Sequence, residues 1–180
     1  INIDSQIGRG SIFSFGIKVQ KKEKSQITIE HPKRRVIGLE PTADGIAHEK
    51  YRILIVDDVP TNRQVLFTLL APLGLDVREV GSGQEALKAW KEWQPQLIWL
   101  EMRMPGMDGY EVIRQIKKSA QTNSPYIISI TASAFDEDRQ KAFDIGCDGF
   151  VRKPFKESEI FGEMKKHLGL RYVYESSTQK

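Results

Sequence analysis

The sequence predicts an α/β fold in which a parallel sheet carries helices on both faces. Two observations lead there: short apolar runs alternate with amphipathic stretches from Tyr51 onward, and five such strand–helix units fit between Tyr51 and Leu170. A length of 180 residues holds one such domain with appendages.

The strands are expected at Arg52 to Val56, Asp76 to Val80, Leu97 to Leu100, Tyr126 to Ile130 and Gly149 to Val151. Helices are expected at Thr61 to Leu73, Ser82 to Trp93, Gly109 to Ser119, Asp136 to Ile145 and Glu157 to Leu168. Local chemistry supports these limits. Gly74 and Gly146 suit helix C-termini, Ser82 can cap a helix with Glu85 three residues on, and Pro95 and Pro125 separate helix from strand. Before Tyr51 the pattern changes. Ile1 to Ile3 and Ile12 to Val19 alternate like two strands joined at Gly8-Arg9-Gly10-Ser11, a hairpin turn. Residues 21–50 are polar and contain Pro32 and Pro41, which reads as a linker with one short strand near Ile27 to Ile29; residues 171–180 read as a tail.

Charge and composition exclude several classes. The chain has 27 Lys and Arg against 24 Asp and Glu, a formal net charge of +3. Residues 1–50 hold 9 basic against 6 acidic residues, whereas residues 51–170 hold 16 against 17. The basic excess lies in a segment with little aromatic interleaving and no helix-turn-helix, so a solvated linker is expected rather than a nucleic-acid surface. No run approaches the ~20 apolar residues of a membrane span, so no membrane contact is expected. The start lacks a signal peptide and an initiator Met, which suggests a piece of a longer protein. The single cysteine, Cys147, excludes an internal disulfide and suits a cytoplasmic location; it is expected to be buried and inert.

Ligands of open parallel sheets bind beyond the carboxyl ends of the strands. There the first strand runs into Asp57-Asp58 and the third into Glu101. Carboxylates gathered at one rim repel unless a cation joins them, and hard oxygen donors suit Mg²⁺ or Mn²⁺. The fourth strand ends at Thr131 and the fifth at Lys153-Pro154, a hydroxyl and an ammonium that can bind phosphoryl oxygens. Taken singly these are a turn hydroxyl and a surface charge. Their conjunction with the acids at four strand ends is the signal.

With these motifs the segment 51–170 resembles the receiver domain of response regulators. The resemblance rests on R-I-L-I-V-D-D, L-I-W-L-E-M-R-M-P-G-M-D-G, I-S-I-T-A and G-F-V-R-K-P. It implies a flavodoxin-like (βα)5 doubly wound sheet of strand order 2-1-3-4-5. It also implies that Asp57 and Asp58 hold Mg²⁺ with the backbone carbonyl of Arg103. Thr131 would be the switch hydroxyl, Phe150 the switch aromatic and Lys153 the phosphoryl-gripping residue, with a cis bond before Pro154. The partner would be a histidine kinase or histidine phosphotransfer domain, including the parent's own kinase domains. It would dock through the first helix, where Arg63, Val65 and Leu66 are candidates.

One position departs from the family, which has its phosphoacceptor aspartate where this chain has Glu101. An extra methylene moves the nucleophile outward by ~1 Å, a displacement that can cost ~100-fold in rate. Glu101 reads as an engineered mimic of the phosphorylated state or as a natural variant, and the intact remainder of the pocket favours the former. A phosphorylation-independent interaction module stays open beside the phosphorelay reading. An aspartyl-phosphate phosphatase is disfavoured because its D-x-D-x-T is replaced by D-D-V-P-T, and a dinucleotide domain because no Gly-rich loop follows the first strand.

Residues 1–20, with G-R-G-S-I-F-S-F, resemble the closing hairpin of a histidine-kinase ATPase domain. That resemblance implies a hybrid histidine kinase as parent. The nucleotide-binding boxes are absent, so no ATP hydrolysis is expected of this segment. Trp90, Trp93 and Trp99 read as packing residues, Met102, Met104 and Met107 as cover for the loop after Glu101, and His31, His48 and His167 as scattered.

Overall fold

The computed structural model describes residues 2–6, 8, 10–18, 35–41, 51–119, 124–132 and 136–175. The chain divides into two compact units, residues 1–33 and 34–180.

In the first unit β1 (Asn2–Gln6) pairs antiparallel with β2 (Gly10–Ser14), from Asn2 opposite Ser14 to Gln6 opposite Gly10. Both strands differ in extent from the expected ones, since Gly10 and Ser11 belong to β2 and residues 15–18 are not in a strand. Every described residue of the hairpin is exposed. The expected strand at Ile27 to Ile29, together with His31 and His48, lies outside the described residues.

The second unit contains β3 (Val36–Leu39), β4 (Arg52–Val56), α1 (Pro60–Leu70), β5 (Asp76–Val80), α2 (Gly83–Trp93), β6 (Leu97–Leu100), α3 (Gly109–Ser119), β7 (Tyr126–Thr131), α4 (Asp136–Asp144), β8 (Gly149–Arg152), α5 (Glu157–Leu168) and β9 (Tyr172–Tyr174). The parallel sheet runs β5-β4-β6-β7-β8, which is the 2-1-3-4-5 order when strands are counted from Arg52. Its three inner strands are almost wholly buried, as expected of a sheet covered on both faces.

Strand alternation divides the core in two. Ile53, Ile55, Leu97, Trp99, Ile128, Ile130 and Val151 pack with Leu66 and Leu70 of α1 and with Ile160, Phe161 and Met164 of α5. Leu54, Val56, Ile98, Leu100 and Ile127 pack with Ala86 and Leu87 of α2, with Val112, Ile113 and Ile116 of α3, and with Ala142 of α4. Three helix ends follow from local chemistry, two of them, at Ser82 and Gly74, as expected. Pro60 opens α1 with its fixed φ, Ser82 Oγ accepts from Glu85 N at 3.3 Å, and Gly74 adopts φ +79° after a 3-10 turn, Ala71–Leu73, that finishes α1. No helix among the described residues is long and apolar enough to cross a membrane.

The linker and tail expectations need correction. β3 lies inside the expected linker and β9 inside the expected tail, and the two pair antiparallel with a register shift between Val36 and Gly38. Val36 and Leu39 pack against the α1/α5 core, and Tyr172 is buried there with its hydroxyl donating to Phe161 O at 2.9 Å. A four-residue strand beside Lys33-Arg34-Arg35 gives little local signal, because its partner is over 130 residues away in the chain.

Candidate functional site

The site forms where β4, β6 and β8 end. Alternation gives its logic: Ile53 and Ile55 precede Asp57, Leu97 and Trp99 precede Glu101, and Val151 precedes Lys153, all on the α1/α5 side of the sheet. The three functional groups therefore leave their strands on the same side and meet. Lys153 Nζ donates to Asp57 Oδ2 at 2.5 Å and to Glu101 Oε2 at 2.8 Å.

Asp57 is buried, at 2% exposure, and is held from several sides. Its Oδ1 accepts from Val59 N at 2.8 Å, and Asn62 Nδ2 lies 3.1 Å from both carboxylate oxygens. Arg63 Nη1 donates to the Asp57 carbonyl at 2.6 Å while its Nε lies 4.0 Å from Glu79. Glu101, 7% exposed, receives the Arg103 N–H on Oε1 at 3.0 Å. Its carbonyl is approached so closely by the start of α3 that a Cβ on Gly109 would lie 2.7 Å from it, which requires glycine there. Lys153 is pulled in two directions. Burial disfavours its charged form, but the hydrogen bonds and charges of Asp57 and Glu101 outweigh that and raise its pKa above the ordinary lysine value. The bond before Pro154 is cis.

Other expected residues take different places. Asp58 is half-buried beside Asp57 and makes no side-chain hydrogen bond among the described residues. Thr131 is buried at the end of β7, and its carbonyl accepts from Lys153 N at 2.9 Å. Phe150, half-buried, stands opposite Ser129 in the β7–β8 register. Thr131 and Phe150 alternate with Ile130 and Val151, which places them on the α4 side of the sheet. Of the three docking candidates Leu66 faces the core, Arg63 turns to the Asp57 carbonyl, and Val65 is 56% exposed. Asn62 and the Arg63 contact were not anticipated: a polar residue in the first turn of a helix reads as solvent-facing.

Trp99 is buried in the sheet, Trp93 carries Arg78 over its ring at 4.3 Å, and Met102 and Met104, in the loop after Glu101, are buried in the core on the α2/α3 side. Cys147 is buried, donates to the Gly149 and Ile127 carbonyls, and has its thiol pKa raised by burial. His167 lies 3.0 Å from Glu163.

Among the described residues no three acidic, histidine or cysteine side chains converge as a ready ligand set for a metal. The donor chemistry nonetheless fits a hard cation. Asp57, Asp58 and Glu101 set three formal negative charges against the one ammonium of Lys153, and Asp58 retains an unused carboxylate.

Residues 53–165 match the response regulator receiver domain family. The chain belongs to this family. It is 38% identical over 122 residues to hybrid signal transduction histidine kinase L of Dictyostelium discoideum, covering 64% of this chain and 7% of that protein. It is 33% identical over 120 residues to a probable transcriptional regulator of Porphyridium aerugineum, covering 67% of this chain and 49% of that one. The chain thus spans half or less of the length of these relatives. Among solved structures it is similar to the receiver domain of a Pseudomonas aeruginosa sensor histidine kinase, crystallised with magnesium coordinated in the active-site cleft. That likeness has a TM-score of 0.60 and 31% identity, and covers 66% of this chain and 98% of that one. It is also similar to a receiver domain of Saccharomyces cerevisiae solved in complex with a histidine phosphotransfer protein, with TM-score 0.60 and 26% identity over 66% of this chain and 88% of that one.

The protein is therefore a receiver domain of two-component signalling with the five-stranded fold of that family.

Proposed function

We propose that this is a phosphorelay receiver of the kind that takes a phosphoryl group from phosphohistidine on an aspartate at position 101, and that Glu101 there makes this chain a phosphomimetic or non-phosphorylatable form. The observation that carries the reading is the meeting of Asp57, Glu101 and Lys153 at the ends of three parallel strands. A Mg²⁺ ion bound there would supply positive charge to offset the carboxylates of Asp57, Asp58 and Glu101. Asp57, Asp58 and the Arg103 carbonyl would hold it, and Mn²⁺ offers the same hard-acid chemistry. Lys153 then binds a phosphoryl oxygen, and Thr131 and Phe150 carry occupancy to the α4 side of the sheet. The donor is a histidine kinase or phosphotransfer domain that reaches the rim along α1, where Val65 is exposed. Residues 1–20 are the end of a kinase ATPase domain, which makes the parent a hybrid histidine kinase.

Glu101 places one carboxylate against Lys153, where a phosphorylated side chain would bring about −1.5 to −2 charges and three oxygens. The mimicry is therefore partial. The test gives the chain and its Glu101→Asp variant Mg²⁺ and a small acyl-phosphate donor and reads intact mass. The aspartate form gains a base-labile phosphoryl group and the glutamate form gains none. Equal labelling of both forms overturns the geometric argument about Glu101; labelling of neither favours a phosphorylation-independent interaction module.

A further inference from the structure

We propose that Arg103 is a positioning residue that couples the carboxylate at position 101 to α4, a role that rests on the pocket assigned above. Its backbone N–H donates to Glu101 Oε1 at 3.0 Å, while its guanidinium Nη2 donates to Asp138 Oδ2 at 2.9 Å. One residue thus holds the acid with its main chain and the helix with its side chain.

The helix at the far end buries little among its described residues. Ala142 is the one fully buried side chain described on α4, and the Tyr110 hydroxyl reaches the Asp138 carbonyl at a long 3.4 Å. The Arg103–Asp138 pair is itself partly solvated, with 68% of the arginine side chain exposed and 22% of the aspartate. A pair of this kind adds little to stability, and its effect is a bias of about two- to fivefold between two positions of a weakly anchored helix.

A ligand shifts such an equilibrium only through contacts that differ between its states. Arg103 supplies that difference. A cation that draws the Glu101 carboxylate toward itself takes Oε1 away from the Arg103 N–H. The turn between Glu101 and Arg103 relaxes, the guanidinium loses its reach to Asp138, and α4 is released. Thr131 and Phe150 act from inside the sheet; this path runs over its surface and uses neither.

Amide hydrogen exchange across residues 136–144 tests the coupling, with and without millimolar MgCl₂, while intrinsic tryptophan fluorescence reports metal entry through Trp99, two residues before Glu101. In the chain as it stands Mg²⁺ speeds α4 exchange about two- to fivefold. Arg103→Ala and Asp138→Asn exchange fast already, and metal changes them no further; Asp138→Asn, which lies outside the metal pocket, does so although its fluorescence titration matches the parent. Arg103→Lys restores part of the response, and the exchanged pair Arg103→Asp with Asp138→Arg restores most of it. If fluorescence reports metal and α4 responds identically without the arginine, the coupling is wrong and the pocket reading stands. If Arg103→Ala loosens every helix of the domain equally, the residue is merely structural and the coupling is again wrong. If no form binds metal, Glu101→Asp included, the metal reading of the pocket fails and the coupling falls with it.

Discussion

The ammonium of Lys153 lies 2.8 Å from Oε2 of Glu101, so the glutamate that stands where the resemblance expects an aspartate is hydrogen-bonded to the lysine expected to grip a phosphoryl group. The same ammonium also holds Asp57. Lys153 is thus the counter-ion of the acid pocket as well as a candidate ligand for its product state.

Removing that counter-ion leaves two buried carboxylates facing each other. Lys153→Met is expected to cost about 2–3 kcal/mol in urea unfolding at pH 8, less than a fully buried pair because the lysine keeps some solvent. The pH dependence has a definite sign. Lys153 has a folded-state pKa raised above its ordinary 10.5. The stabilisation is therefore complete below that value and is lost as pH rises through the folded-state pKa. The gap between the unfolding midpoints of the parent and Lys153→Met should stay constant from pH 8 to about pH 10 and close only as pH rises past the ordinary lysine value; a gap that already closes between pH 8 and about pH 10 contradicts the assignment.

The β3–β9 pair makes the second expectation. Tyr172→Phe removes the hydroxyl that donates to the Phe161 carbonyl but keeps the ring, whose centroid lies 5.1 Å from that of Phe161. The expected loss is about 1 kcal/mol, the usual net value of one hydrogen bond. Tyr174→Phe, at an exposed site on the same strand, should change stability by less than about 0.5 kcal/mol. Equal effects at both positions would show that Tyr172 does not anchor the pair.

Cys147 provides a reporter of opening. Its thiol is buried, bonded to two carbonyls, and shifted upward by burial, so the reactive thiolate is scarce and shielded. A thiol reagent at pH 8 should label the protein only as fast as the domain unfolds, with the rate rising in urea in step with loss of structure. Rapid labelling in native buffer contradicts this burial.

The residues differ in how openly the sequence announces them. Apolar runs such as Ile53 to Val56 and the turn residues around them locate the central sheet, because burial on both faces demands them and each signal is local. Asp57, Glu101 and Lys153 stand out because charged groups end those runs. Their meeting was less legible, since it depends on strand alternation carried across three separate strands. Asn62 was hidden, because nothing in a first-turn asparagine distinguishes a carboxylate ligand from a solvated amide. β3 and β9 were hidden for another reason: four and three residues flanked by charge become a sheet only when two remote ends of the segment pair. The expected single tail and linker failed on that non-local contact.

A divalent cation in the proposed site would meet the Lys153 ammonium, which already holds Asp57 and Glu101, and this sets the last expectation. Asp57 Oδ2 already accepts from Lys153 at 2.5 Å, so a cation entering between Asp57, Asp58 and Glu101 meets a resident positive charge. Two unit charges 4 Å apart interact by about 4 kcal/mol at an effective dielectric of 20, and a divalent ion doubles the repulsion. Solvent and salt at the open rim remove much of this, yet a remainder of only about 1 kcal/mol corresponds to about fivefold in affinity. Lys153→Met should therefore bind Mg²⁺ at least about fivefold more tightly than the parent in a fluorescence titration at low salt, with the gap narrowing as salt rises. The same variant should be the poorer phosphoryl acceptor when combined with Glu101→Asp, because the group that grips the transferred oxygens is gone. Weaker Mg²⁺ binding by Lys153→Met would mean that the lysine's main task is to hold Asp57 and Glu101 in place, and that without it the two carboxylates swing apart before a cation can join them.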